Sequence, residues 1–434
     1  MKYYQSFKKS KWEKIGKIPT HWNEIRCGHL FREISIKNNL NEMNLSVYRD
    51  YGVIPRDSRD DNYNRVSEDT SNYKLVEVGD FVLNKMKCWM GSLGVSEFRG
   101  IVSPSYTIYK TTKQFNRKYF HYLLRSNDYI QEYDKLSYGV RIGQWELHSK
   151  DFKNIISLIP PPPEQKQIVS FLDHKTQLID ELVEITEKKI ELLKEKRTSL
   201  INHCVTKGLN PNVEMKDSGV EWIGEIPIRW VISKLKWFSS HITDGSHFSP
   251  VTTDEGKYYV TVSDVTKNND INFENCKKIS DESFDKLQRD GCQPNISDVL
   301  ITKDGTIGRG LVAERNDYVI LSSLGLIRTD YSKVNPYYLL YYLLSGICVD
   351  QMYSHIRGSG ITRLTIKLIN DLLGIFPPLP EQKQIVAYLD EQIQKIDTTI
   401  EKETQRIELL KEYRQSLISE VVTGKIDVRD EVVA

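Results

Sequence analysis

The sequence predicts two mixed α/β globular domains joined by two long helices that form an antiparallel coiled coil. The whole is an internal repeat with approximate twofold character. Three observations predict it. The stretch PPPEQKQIV at 161–169 recurs as PLPEQKQIV at 378–386. Each copy opens a tract whose apolar residues keep a heptad spacing. Upstream of each tract, short strand-like and helix-like runs alternate.

The repeat is extensive. With Pro163 laid on Pro380 the tracts align without a gap, so that Ile190-Glu191-Leu192-Leu193-Lys194-Glu195 meets Ile407-Glu408-Leu409-Leu410-Lys411-Glu412. Upstream the match is looser. IGKIPTHW from Ile15 matches IGEIPIRW from Ile223, Gly79-Asp80 matches Ser297-Asp298, and Asn116 and Tyr119 match Asn335 and Tyr338. The expected boundaries are a first domain at 1–160, a helix at 161–208, a second domain at 209–377, a helix at 378–425 and a tail at 426–434.

In the first helix Val169, Thr176, Val183, Ile190, Arg197 and Cys204 share one heptad position, and Leu172, Ile179, Thr186, Leu193 and Leu200 the other. In the second, Val386, Ile393, Ile400, Ile407, Arg414 and Val421 pair with Leu389, Ile396, Glu403, Leu410 and Leu417. A seam this narrow is that of a coiled coil. The prolines are expected to stop the chain before each helix, and Glu164 and Glu381 to suit the positive end of the helix dipole. Each helix should run about 40 residues, or roughly 60 Å. Because a domain's ends lie close together, the second helix should return antiparallel to the first, with the domains at opposite ends of a rod. Centring the pairing between Ile190 and Leu193 sets Arg197 opposite Glu403 and Arg414 opposite Thr186, and the Arg197–Glu403 pair is expected to fix the register.

The globular parts show strand-like runs at 74–83, 101–109, 258–262 and 319–327, and helices at 116–126 and 335–345. The longest apolar tract, YYLLYYLLSGICV from Tyr337, is too short to span a bilayer and reads as a buried helix.

A chain of 434 residues suits two or three domains, and 39% apolar with 27% charged residues is the balance of a soluble globular protein. The six cysteines form no CxxC pair, which suggests neither a metal site nor a disulfide framework and fits a reducing cytoplasm. The opening MKYYQSFKKS lacks the apolar run of a signal peptide. The net charge of +1 conceals an excess of roughly +8 in residues 1–150, which permits a nucleic-acid partner without requiring one.

The layout resembles the specificity subunit of type I restriction–modification systems. The marks are PPPPEQKQIV, FPPLPEQKQIV, SGVEWIGEIPIRW at 218–230, DGSHFSP at 244–250 and KDGTIGR at 303–309. The resemblance covers the whole chain. It implies two target-recognition domains, each reading one half of a bipartite, asymmetric double-stranded DNA site. It implies helices that set the spacer and dock two adenine-N6 methyltransferase subunits, with motor–nuclease subunits able to join. This chain would then be cytoplasmic, noncatalytic and without a cofactor or metal of its own, S-adenosylmethionine being held by the methyltransferase. A methyltransferase–specificity fusion and a coiled-coil scaffold that binds no DNA are the alternatives.

A fusion would need a cofactor loop and an Asn/Asp-Pro-Pro-aromatic motif. Asn335-Pro336-Tyr337-Tyr338 departs from the latter at its third residue, and its mate Asn116-Arg117-Lys118-Tyr119 lacks the proline. Both read as helix caps. The residues proposed to meet DNA are Arg56, Arg59, Lys85, Lys87, Arg141 and Gln144 in the first domain. In the second they are Asp244, Ser246, His247, Lys303, Thr306, Arg309 and Arg357. Arginine suits guanine edges and phosphates, and short polar side chains suit base edges. KDGTIGR is no P-loop and reads as a tight turn between strands.

Overall fold

The computed structural model describes residues 2–39, 41–49, 51–59, 67, 69–111, 116–139, 145–266, 268–305, 307–354 and 363–431. The chain divides into two compact units, Met1–Glu187 with Thr404–Ala434, and Lys188–Glu403. Each unit takes one globular half and one half of each long helix.

In the first unit a four-stranded sheet is built from β1 (Phe31–Ile34), β2 (Phe81–Asn84), β3 (Leu93–Val95) and β4 (Tyr106–Thr111) in the order β1–β4–β2–β3. Every neighbouring pair is antiparallel. Two short helices, α1 (Arg117–Leu124) and α2 (Asn127–Leu136), follow β4; a one-turn helix (Ser149–Asn154) and a strand (Ile156–Ile159) then lead into the long helix α3 (Pro162–Lys207). The second unit repeats this plan with β5 (Ser239–Asp244), β6 (Val299–Thr302), β7 (Gly310–Val312) and β8 (Leu324–Thr329) in the order β5–β8–β6–β7. It too is antiparallel throughout and is followed by α4 (Pro336–Leu344), α5 (Gly346–Ser354) and the long helix α6 (Leu379–Val422). The units differ in what surrounds the sheet. The first carries a hairpin, Leu45–Tyr48 with Gly52–Pro55, and the second a separate mixed sheet with the helix Asp281–Arg289.

Several expectations need adjustment. The runs at 74–83, 101–109 and 319–327 are each two strands, because Gly79 takes a left-handed turn and residues 103–105 and 321–323 interrupt the other two runs. Ser297, the repeat mate of Gly79, also lies at positive φ, so the turn is kept where the glycine is not. The tract from Tyr337 breaks at Ser345 into α4 and α5. The last prolines of each run do not stop the chain but sit in the first helical turn, where the missing N–H is not needed. The long helices reach 46 and 44 residues, roughly 65–70 Å each.

Within each unit the two long helices run antiparallel and bury their seam. Leu172, Ile179, Leu389 and Ile396 are buried; Leu193 and Leu410 are half-buried. The predicted register residue pairs differently. Arg197 bonds Asp397 at 3.3 Å, not Glu403, and Glu403 receives Lys189 at 2.5 Å. In the first unit Arg414 takes Asp180 at 2.9 Å rather than facing Thr186. Both partners lie six residues from the expected one. The arginines leave the seam and reach an acid on its flank, while the Thr186 hydroxyl is satisfied by the Leu182 carbonyl of its own helix.

Glu164-Gln165 and Glu381-Gln382 are the joints between each sheet domain and its long helix. Glu164 accepts from the Trp22 indole N–H (2.9 Å) and the Tyr4 hydroxyl (2.6 Å), and Glu381 from the Trp230 indole (3.0 Å). The indoles belong to the repeated IP-x-x-W motif, so two distant motifs of each copy meet here. Buried Gln165 accepts from Asn116 N–H (3.2 Å) and donates to the Pro160 carbonyl (2.9 Å). Gln382 accepts from Asn335 N–H (2.8 Å) and donates to the Pro377 (2.8 Å) and Lys333 (2.9 Å) carbonyls. The returning half of the other long helix holds each domain a second time. Ser419 accepts from Asn127 N–H at the start of α2 (3.0 Å), and Asn202 from Gly346 N–H at the start of α5 (2.7 Å).

Candidate nucleic-acid interface

In the second unit the ends of β5 and β6 gather the two glycine-containing motifs. Gly245 packs on the Ile320 carbonyl so closely that a Cβ would lie 2.0 Å from its oxygen, so no other residue fits. Ser246 is buried. Its N–H donates to Ile320 O (2.8 Å), and its hydroxyl donates to Phe248 O (2.6 Å) and accepts from Phe248 N–H (3.2 Å). It builds the loop and presents no side chain to a ligand. His247 beyond it is exposed, with Nε2 3.1 Å from Asp244 Oδ1. The other Asp244 oxygen holds the enclosed Lys303 ammonium.

KDGTIGR is the expected turn between β6 and β7. Gly305 and Gly308 both take positive φ, and buried Ile307 pins the loop to the core. Arg309 is half-buried and donates to the Val265 carbonyl at 3.4 Å. Asp304 receives Arg363 in a two-pronged pair, Nε to Oδ1 at 2.7 Å and Nη2 to Oδ2 at 3.0 Å. The structure thus brings Asp244, His247 and Lys303 together and adds Arg363, which sequence reasoning missed. Thr306 and Arg357 lie outside the described residues.

The first unit keeps the scaffold with other side chains. Lys85 N–H donates to Ser105 O (3.2 Å) as Lys303 N–H does to Ser323 O (2.8 Å). Leu147 N–H donates to Lys85 O (3.1 Å) as Leu364 N–H does to Lys303 O (2.9 Å). Glu146, at the station of Arg363, pairs with Lys85 at 3.3 Å. Lys87 is exposed. Arg56 pairs with Asp57, and Arg59 lies over the rings of Tyr51 (4.6 Å) and Tyr48 (5.4 Å) beside the hairpin. Arg141 and Gln144 lie outside the described residues. His121, packed under β3, accepts from Val95 N–H at 3.3 Å, and burial, with Arg125 beside it, pushes its pKa down to about 3.

The Asn335 side chain accepts from Tyr337 and Tyr338 N–H, and that of Asn116 from Lys118 and Tyr119 N–H. Both are helix caps. Among the described residues no group of three or more His, Cys, Asp or Glu is placed to hold a metal, and no helix is long and apolar enough to cross a membrane.

A family model for the type I restriction modification DNA specificity domain matches residues 19–195 and 229–410. The chain belongs to that family. Its two matches fall on the two copies of the repeat, so each copy is one specificity domain with its helix. The MjaVIII specificity subunit of Methanocaldococcus jannaschii, a type I restriction enzyme, is 23% identical over 95% of both chains. The EcoKI specificity subunit of Escherichia coli is 24% identical over 76% of this chain and 68% of its own. A chain from a structure of complex assembly and conformational transition in a type I R-M system superposes with a TM-score of 0.70 at 15% identity, over 94% of this chain and 99% of that one. The HsdS subunit from Thermoanaerobacter tengcongensis gives 0.54 at 17% identity, over 94% and 98%. Membership makes the chain a DNA sequence-recognition subunit of the type I class.

Proposed function

We propose that each sheet domain reads one half of a bipartite, asymmetric site on double-stranded DNA, and that the long helices fix the gap and dock two methyltransferase subunits. The doubled plan carries this reading. Sheet order, caps and joints recur, while the side chains at the strand ends differ, Asp304 with Arg363 in one unit and Lys85 with Glu146 in the other. A kept frame with changed ends is what two readers of unlike half-sites require. Methyl transfer, with S-adenosylmethionine, belongs to the partner. Motor–nuclease subunits would complete a restriction complex.

The coiled coil has a flank suited to docking. Its seven exposed large apolar residues all fall at heptad positions c and g, counting the seam as a and d. In the first unit these are Leu178, Leu182 and Ile185 of α3, and Leu409 and Tyr413 of α6. In the second they are Leu192 and Tyr388. In an antiparallel pair the g flanks adjoin, so in the first unit both helices offer apolar side chains on one side. Leu192 and Leu409 are repeat mates, 64% and 65% exposed. One equivalent apolar residue per copy fits two copies of one partner. Replacing both with lysine should abolish co-purification of the methyltransferase while circular dichroism still reports full helix content. Undiminished co-purification would place the docking elsewhere.

The reading as a whole is tested by mapping N6-methyladenine in cells that carry this chain with its methyltransferase. A bipartite motif with one fixed gap is expected; the absence of any motif would contradict the proposal.

A further inference from the structure

We infer that Arg363 reads a guanine in the half-site of the second domain, and that Asp304 is the residue that positions it. The inference rests on the chain being a DNA reader and goes beyond it by naming a residue and a base. Asp304 engages the guanidinium side-on, through Nε and one hydrogen of Nη2. The end-on edge keeps one hydrogen on Nη1 and one on Nη2, parallel to each other. That is the fork that matches O6 and N7 of guanine in the major groove. The side chain is 62% exposed. The backbone behind it is fixed, because buried Leu364 bonds Lys303 O and residues 304 and 363 form a β-bridge. A locked backbone and a bidentate carboxylate leave few rotamers to lose on binding.

Position separates this pair from others of the same geometry in the second unit. Arg328 meets Asp298 at the start of β6, and Arg315 meets Asp317 beyond β7. Arg363 alone among the described arginines with such a pair in this unit stands at the end of β6, where DGSH and KDG converge. Asp244, held by Lys303, adds to the negative field around it. In the first unit the same station carries Glu146, an acceptor suited to the amino group of cytosine or adenine. One station thus holds a donor fork in one copy and an acceptor in the other.

The test uses the full chain with its methyltransferase and reads the methylation motif and rate for Arg363→Gln, Arg363→Lys and Asp304→Asn. The expected wild-type motif has a guanine at one position of the second half-site. Arg363→Gln should lower methylation of such sites roughly 10- to 100-fold and relax that position or shift it toward adenine, with the first half-site unchanged. Asp304→Asn should relax the same position less strongly. An unchanged motif and rate, or a uniform loss with no change of base preference, would overturn the inference while leaving DNA recognition standing. So would failure of both Arg363 variants to fold, which would make the residue structural. A wild-type complex that yields no motif would instead overturn the reading on which the inference rests.

Discussion

Replacing Gln382 with leucine is expected to lower the unfolding free energy by about 3–5 kcal/mol. The side chain is fully buried and serves three backbone groups: the Asn335 N–H and the carbonyls of Pro377 and Lys333. Leucine fills a similar volume, so packing changes little. It leaves one donor and two acceptors in a fully buried site, each costing about 1–3 kcal/mol when unpaired. Gln165→Leu should cost less, because among the described residues Gln165 serves two backbone groups, the Asn116 N–H and the Pro160 carbonyl. Urea unfolding followed by tryptophan fluorescence measures both. A loss below about 1 kcal/mol at Gln382 would mean that water or backbone relaxation replaces the bonds.

Asp244→Ala is the second large effect, expected at about 3–5 kcal/mol. The substitution strands the Lys303 ammonium, which is almost entirely enclosed and whose counter-charge is the Asp244 carboxylate. Lys303→Met should be far milder, since it removes the charge and keeps an unbranched apolar stem of similar length. The double variant should therefore recover most of what Asp244→Ala loses. A double-mutant cycle reads this directly, with a coupling of about 2 kcal/mol or more expected and near-additivity the contrary result. The sequence places Lys303 among the residues expected to meet DNA. Its enclosure gives it another task here, holding the carboxylate that orients exposed His247.

What the sequence disclosed depended on the range of the interactions. The heptad seam and the asparagine caps are local, and the repeat is a comparison of the chain with itself, so all three could be read in advance. The joint could not. Glu164 stands in the first turn, where the helix dipole favours an acid, but nothing local shows that its partners include an indole far upstream. The coil register failed for a related reason. Heptad position tells which residues face the seam, but not that Arg197 and Arg414 would leave it for Asp397 and Asp180. Those two pairs are repeat mates, so each copy of the repeat carries its arginine and its flank acid at equivalent positions. Arg363 was missed because nothing local marks it: it becomes conspicuous only when the fold sets it on Asp304. Ser246 shows the converse, a polar residue in a suggestive motif that the fold turns inward to make a turn.

In the proposed function two separate readers share one frame. The most direct measurement is a map of N6-methyladenine from cells in which residues 209–377 have been exchanged for the corresponding domain of another family member, beside the map from the unaltered chain. One half of the bipartite motif should change, while the other half and the gap between them stay as they were. Both halves changing together would contradict the account.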